Sequence, residues 1–342
     1  EMRLGSIECP GACSGDLYSP LERGGAKRRG VFPSSEHFIF VPLLALLLGF
    51  FFPPALAAPA APHQLLLAGV HSGTDLIVVG ERATILRSGD QAASWETIRP
   101  PDGISATLTA VTFAPGNSPG WAAGHDALIL STTDAGRTWK KSWQGENLTE
   151  SFLDVLALDA RHVFAVGAYG LCLETTDAGQ TWTRRKIIGD DRHLNRLTRG
   201  PGGTLYLAGE RGTLLRSRDA GSTWTALRSP YAGSFYGVLP LDEHTLLAHG
   251  LRGKLYRSTD DGETWTQIPF EPAGLIATAL LLRNHTVVFA GQARTFGLSR
   301  DLGLTTAPWP LPVASAVSSL VELPDGRILA LGEAGATVLP PP

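Results

Sequence analysis

The chain has 342 residues, 43% hydrophobic and 18% charged, with a formal net charge of −3; this balance excludes a disordered chain and predicts no general affinity for nucleic acid. Of three cysteines, Cys9 and Cys13 precede the first apolar segment, so Cys172 stands alone in the body of the chain and no disulfide framework is available there. Flanked by Leu171 and Leu173, Cys172 reads as a small core residue.

Residues 1–57 read as processing sequence. Lys27, Arg28 and Arg29 form a basic region, Phe38 to Phe52 an apolar stretch, and Ala55-Leu56-Ala57 a small-x-small site, together predicting a secretory signal peptide cut after Ala57. The apolar run contains Pro42 and Gly49 and is shorter than the roughly 20 residues of a spanning helix. No cysteine follows it at the cut, which excludes a bacterial lipoprotein. The first 26 residues resemble neither signal nor domain and are expected to be an over-extended reading frame. The expected location is exported: periplasmic, or the thylakoid lumen in a photosynthetic source. Residues 58–64 are a Pro-rich joint around Pro59 and Pro62, and 65–340 are the folded body.

Within that body an octet, Ser/Thr-x-Asp-x-Gly-x-Ser/Thr-Trp, recurs at Ser88–Trp95, Thr132–Trp139, Thr175–Trp182, Ser217–Trp224 and Ser258–Trp265. A sixth copy around Ser299, Asp301, Gly303 and Thr305 has Thr306 in place of Trp, and the first has Ala92 in place of Gly. The repeated positions are Asp90 and Trp95; Asp134, Gly136 and Trp139; Asp177, Gly179 and Trp182; Asp219, Gly221 and Trp224; Asp260, Gly262 and Trp265; Asp301 and Gly303. Each has a turn chemistry: the Asp accepts backbone N–H groups, the Gly supplies a positive φ, the first Ser or Thr bonds across the turn, and the Trp anchors the next strand in a core. Successive Asp residues lie 44, 43, 42, 41 and 41 positions apart, the spacing of a radial or stacked array.

A second series, apolar strands ending in Gly, runs through Gly80, Gly124, Gly167, Gly209, Gly250, Gly291 and Gly332. Each is preceded by one apolar strand and followed by another, so the unit is four short antiparallel strands and the series predicts an all-β, seven-bladed propeller. The last unit reaches only Leu339 before Pro340-Pro341-Pro342. Either residues 58–64 supply its fourth strand or it stays three-stranded, its edge blunted by the prolines.

The octet resembles the Asp-box, or bacterial neuraminidase repeat. With seven units, Gly-ended second strands and an export signal, residues 65–340 are similar to the photosystem II stability/assembly factors of cyanobacteria and chloroplasts and their relatives in non-photosynthetic bacteria. The resemblance implies a non-catalytic extracytoplasmic scaffold that binds a membrane-protein subunit or complex during assembly.

Catalytic and metal motifs are missing. A sialidase needs an Arg-Ile-Pro element, whereas the nearest tripeptide is Ile98-Arg99-Pro100, and Asp-box sialidases close with six blades. Asp260-Asp261-Gly262 lacks the later ligands of a calcium loop, and no histidine pair has zinc-ligand spacing. No metal, cofactor or small-molecule substrate is expected, and the protein is expected to be monomeric. The alternatives are a sialidase-like glycoside hydrolase or a carbohydrate-binding propeller; against both, only Trp121, Trp143 and Trp309 lie outside the octets.

Charge is unevenly placed. Between Gln180 and Pro230 ten basic residues, Arg184, Arg185, Lys186, Arg192, Arg196, Arg199, Arg211, Arg216, Arg218 and Arg228, face four acids. Arg82, Arg211 and Arg252 each stand two places after a strand-ending Gly. The expected partner site is therefore an arginine surface for carboxylates, carried by Arg184, Arg185, Arg196, Arg211 and Arg252.

Overall fold

The computed structural model describes residues 64–342 except 312 and 314. The signal peptide, its cut after Ala57 and the joint up to residue 63 lie outside the described residues. Seven antiparallel sheets follow one another along the chain as the blades of a propeller. Blade 1 is made of Leu66–Ser72, Asp75–Gly80, Ile85–Ser88 and Glu96–Thr97. The innermost strands of blades 2 to 7 are Leu108–Phe113, Phe152–Ala157, Leu194–Arg199, Phe235–Pro240, Ile276–Leu281 and Val317–Glu322. Six blades have four strands; the seventh, among the described residues, has three, ending at Gly335–Leu339.

The Gly at the end of each second strand has a steric cause. In every blade the inner strand bulges at its start, so that its second residue, Leu67, Thr109, Leu153, Asn195, Tyr236, Ala277 or Ser318, has no partner on the second strand. The bulge swings the carbonyl before the inner strand across the Gly to accept the next amide: Glu81 donates to Leu65 at 3.0 Å and Ala168 to Ser151 at 2.9 Å. A Cβ on Gly80, Gly124, Gly167 or Gly332 would lie 2.0 Å from that carbonyl oxygen, and on Gly291 only 1.7 Å. With φ of −168° at Gly80 and Gly167 the backbone is ordinary extended chain. Glycine is required for the close approach, as at other bulges.

The apolar core is divided among the seams between blades. Each of seven clusters joins two consecutive blades; one joins Leu66, Val78 and Leu86 of blade 1 to Val321, Leu329 and Leu331 of blade 7. Bulge residues tie the same seams through side chains: Thr109 donates to the Phe152 carbonyl at 2.9 Å, Asn195 to Phe235 at 2.7 Å and Ser318 to Leu66 at 2.9 Å. Blade 7 is thus bonded to blade 1 as blade 2 is to blade 3 and blade 4 to blade 5.

Candidate partner face and channel mouth

The propeller has two unlike faces. The turns from third to fourth strand carry the octets and share one face with the turns from first to second strand. The opposite face carries the turns from second to third strand and the crossovers between blades.

On the octet face the acids are engaged by their own turns. Asp177 Oδ1 accepts the Thr175 hydroxyl at 2.7 Å and the Thr181 amide at 2.9 Å, while Oδ2 accepts the Thr181 hydroxyl at 2.6 Å. The Thr175 hydroxyl oxygen in turn accepts the Gly179 amide at 2.9 Å. Asp90, Asp134, Asp219, Asp260 and Asp301 repeat the pattern. The hydroxyl bond from the Thr four places on, seconded by its amide, holds Asp177, Asp219, Asp260 and Asp301 down at about 2. Gly136, Gly179, Gly221, Gly262 and Gly303 have φ between 80° and 89°. Ala92, where the first octet lacks Gly, holds a φ of 66°.

The octet tryptophans close the seams rather than fill blade centres. Trp139 is buried in the seam of blades 1 and 2. Trp95, Trp182, Trp224 and Trp265 are only half-buried, each against the cluster shared with the preceding blade. The three tryptophans outside the octets are packed as well. Trp121 and Trp309 are buried, and Trp143 packs edge-to-face on Phe152 at 5.8 Å and against the seam of blades 2 and 3. Trp143 lies on a fourth strand, Lys140–Gln144, that is longer than the two residues seen in blades 1, 3 and 4.

The arginines of the basic sector do not form one patch. Arg184 reaches Glu150 at 2.9 and 3.0 Å, and Arg185 pairs with the buried side of Glu174. Arg192 pairs with Asp190 at 2.7 Å, and Arg199 donates to the Leu158 carbonyl at 2.8 Å. Arg216, counted in the sequence as part of the basic surface, is 7% exposed. It donates to the Asp261 carbonyl at 2.6 Å and to Glu263 at 3.0 Å, and Arg218 and the Tyr206 phenol also bond the Asp261 carboxylate. The cause lies in the next blade: where the octets of blades 2, 3 and 4 carry Ala at this turn position, blade 5 carries Asp261, whose carboxylate fills the gap and draws Arg216 inward.

What the fold does gather is on the crossover face. The turns after the strand-ending Gly hold one exposed residue each in the left-handed region: Arg82 at φ 53°, Asp126 at 56°, Tyr169 at 55°, Arg211 at 51° and Arg252 at 59°. Arg294, one place further along in blade 6, is exposed at φ 59° and escaped the sequence reading because its turn is offset by one. Among the described residues Arg82, Arg252 and Arg294 form no ion pair, and Arg211 lies 3.7 Å from Asp191 and 3.9 Å from Glu210. The glutamates that follow the strand-ending Gly are structural: Glu81, Glu210 and Glu333 accept the amides of Leu65, His193 and Ala316.

At the centre of this face the bulge residues surround a cavity of about 320 Å³. Arg196 lines it, separated from Arg211 by its place on an inner strand. Beside it His249 is buried, its Nδ1 3.0 Å from the Ile276 carbonyl, and burial brings it down to about 4, so the ring is neutral at pH 7. Cys172, buried, is pushed up to about 12 by desolvation and is inert as a thiolate. Among the described residues no group of three or more His, Cys, Asp or Glu side chains could hold a metal ion.

Three comparisons bear on this geometry. The structure titled YCF48 bound to D1 peptide matches with a TM-score of 0.67 and 19% identity over 82% of this chain and 94% of that one. YCF48 from Cyanidioschyzon merolae matches at 0.66 and 17%, over 82% and 96%. The WD40 β-propeller domain of Doa1 matches at 0.64 with 11% identity, over 80% and 92%; at these identities the likeness concerns the fold. No curated protein sequence matches the chain. The sequence profile of the family described as Photosynthesis system II assembly factor YCF48 matches residues 66–149 and 140–285. Since that match spans more than half of the chain, and since the blades it covers are those described above, the protein belongs to the YCF48 family of photosystem II assembly factors.

Proposed function

We propose that the protein is a non-catalytic, exported scaffold that holds a membrane-protein subunit while its complex assembles, and that the crossover face is its binding surface. The observation that carries the reading is the set of exposed arginines Arg82, Arg211, Arg252 and Arg294 held on one face by repeated turns, three of them with no carboxylate partner among the described residues. Guanidinium groups so presented bind carboxylates through paired hydrogen bonds and accelerate encounter with an acidic partner. Family membership and the relative bound to a D1 peptide support a segment of a membrane subunit as that partner. Sugar binding is disfavoured because Trp121 and Trp309 are buried. The test is retrieval from solubilised membranes with the partner identified by mass spectrometry: an integral membrane subunit, released as salt rises, is expected. Retrieval of soluble proteins alone, or turnover of a glycoside lost on replacing one Asp or Glu, would contradict the reading.

A further inference from the structure

The cavity at the channel mouth has a chemistry separate from the arginine loops around it. Its walls are mainly apolar or small: Leu65, Leu67, Leu153, Leu275, Ala277 and Val317. Three of its polar groups are already used. Thr109, Asn195 and Ser318 donate to carbonyls of the next blade, and Glu333 at the rim accepts the Ala316 amide at 3.3 Å.

Besides the exposed Gln292, Arg196 and Tyr236 remain, on neighbouring blades. Both are half-buried, and among the described residues neither side chain has a hydrogen-bond or ion-pair partner. Two acids share the surroundings of Arg196: Glu333, at the rim and bonded to the Ala316 amide, and Asp154, which does not line the cavity. Asp154 accepts the Leu197 amide at 2.7 Å, and burial pushes its carboxyl up against the lowering pull of the Arg196 charge. A guanidinium drawn partly out of water without a partner is costly, and an anion reaching it gains most where the surroundings are apolar. At about 320 Å³ the cavity is at the small end of ligand pockets.

We infer that the channel mouth binds a small carboxylate with an apolar body, the carboxylate between the Arg196 guanidinium and the Tyr236 phenol and the body against Leu67, Leu153 and Leu275. The site uses none of the exposed loop arginines, so its failure leaves the proposed partner face standing. A free acid or the carboxy end of a chain supplies the same chemistry, and the test separates them.

Calorimetric titration of the full chain uses 3-phenylpropionate, its amide, and a hexapeptide ending in Phe with a free or amidated terminus. The carboxylate form of at least one probe pair is expected to bind about tenfold or more tighter than its amide; which pair does so identifies the source. Arg196→Gln should lose about tenfold with an unchanged Tm, Tyr236→Phe less, and Ala277→Trp, which fills the cavity from blade 6, should abolish binding. Ala277→Trp keeps the test decisive should Arg196→Gln fold poorly. Binding of neither carboxylate, equal binding of carboxylate and amide, or full binding by Ala277→Trp overturns the inference.

Discussion

The octet face and the crossover face are built from equally repetitive turns, yet their charges have opposite fates. On the octet face each repeated Asp is saturated by one Thr or Ser on either side of it, with bonds of 2.5 to 2.9 Å at Asp301. On the crossover face the repeated residue is lifted to a left-handed position with nothing opposite it, as at Arg82 and Arg252. Repetition on the first face stabilises the blade, and repetition on the second displays a side chain. The conserved look of a motif within one chain therefore points away from its binding surface when every polar atom of the motif is already bonded.

The largest effect should come from the octet side. Trp139→Ala, buried in the seam of blades 1 and 2, should cost about 3 to 5 kcal/mol in denaturant unfolding, and the half-buried Trp95→Ala roughly half as much. Trp143→Ala should also be clearly destabilising, given its edge contact with Phe152. Equal midpoints for Trp139→Ala and wild type would remove the octet from the structural side of the comparison.

Next comes the layer beneath the display loops. Gly291→Ala places a Cβ 1.7 Å from the Leu275 carbonyl oxygen, a backbone clash expected to cost about 3 kcal/mol. Gly189→Ala, with nothing within 4 Å of the added carbon, should leave the melting temperature near that of wild type. Similar losses at both sites would mean that the bulge does not require its glycine.

A smaller effect separates the faces by pH. The octet carboxyls of Asp134, Asp177, Asp219, Asp260 and Asp301 sit at about 2 when folded against an ordinary value of 3.8, and that of Asp90 is also lowered. Their contribution is present above pH 4 and is lost as pH falls from about 4 through about 2. Melting temperature should fall across that window, and less steeply in Asp219→Asn, where one of the titrating groups is gone. Parallel pH profiles for the two proteins would show that the Asp bonds are not linked to folding.

Much of this architecture is legible in the sequence because a blade is a local object. The octet spacing and the Gly-ended strands give seven units, while the strand count of the last unit stays open in the sequence and is three among the described residues. Interactions across seams are not legible in the same way. Arg216 looks like a surface charge until Asp261, 45 positions on, is folded beside it. Trp143 stands outside every octet in the sequence until Phe152 of the following blade meets its ring. The basic sector is likewise a feature of sequence order: Arg184, Arg185, Arg196 and Arg211 lie within 28 positions but go to an ion pair with Glu150, an ion pair with Glu174, the channel and a display loop. The turns after the strand-ending Gly, aligned blade by blade, single out Arg82, Arg211 and Arg252 in the sequence itself, and the fold holds all three exposed in those turns.

The central claim is that binding belongs to the displayed arginines and not to positive charge in general. Two triple variants with the same charge change test it in one membrane retrieval assay: Arg82, Arg211 and Arg252 to Ala on the crossover face, and the exposed Arg137, Arg161 and Arg300 to Ala on the octet face. Both should melt within a degree or two of wild type, since exposed charges contribute little to stability. The account predicts that the crossover variant loses the membrane subunit and the octet variant keeps it; retention by the first, or equal loss by both, would contradict it.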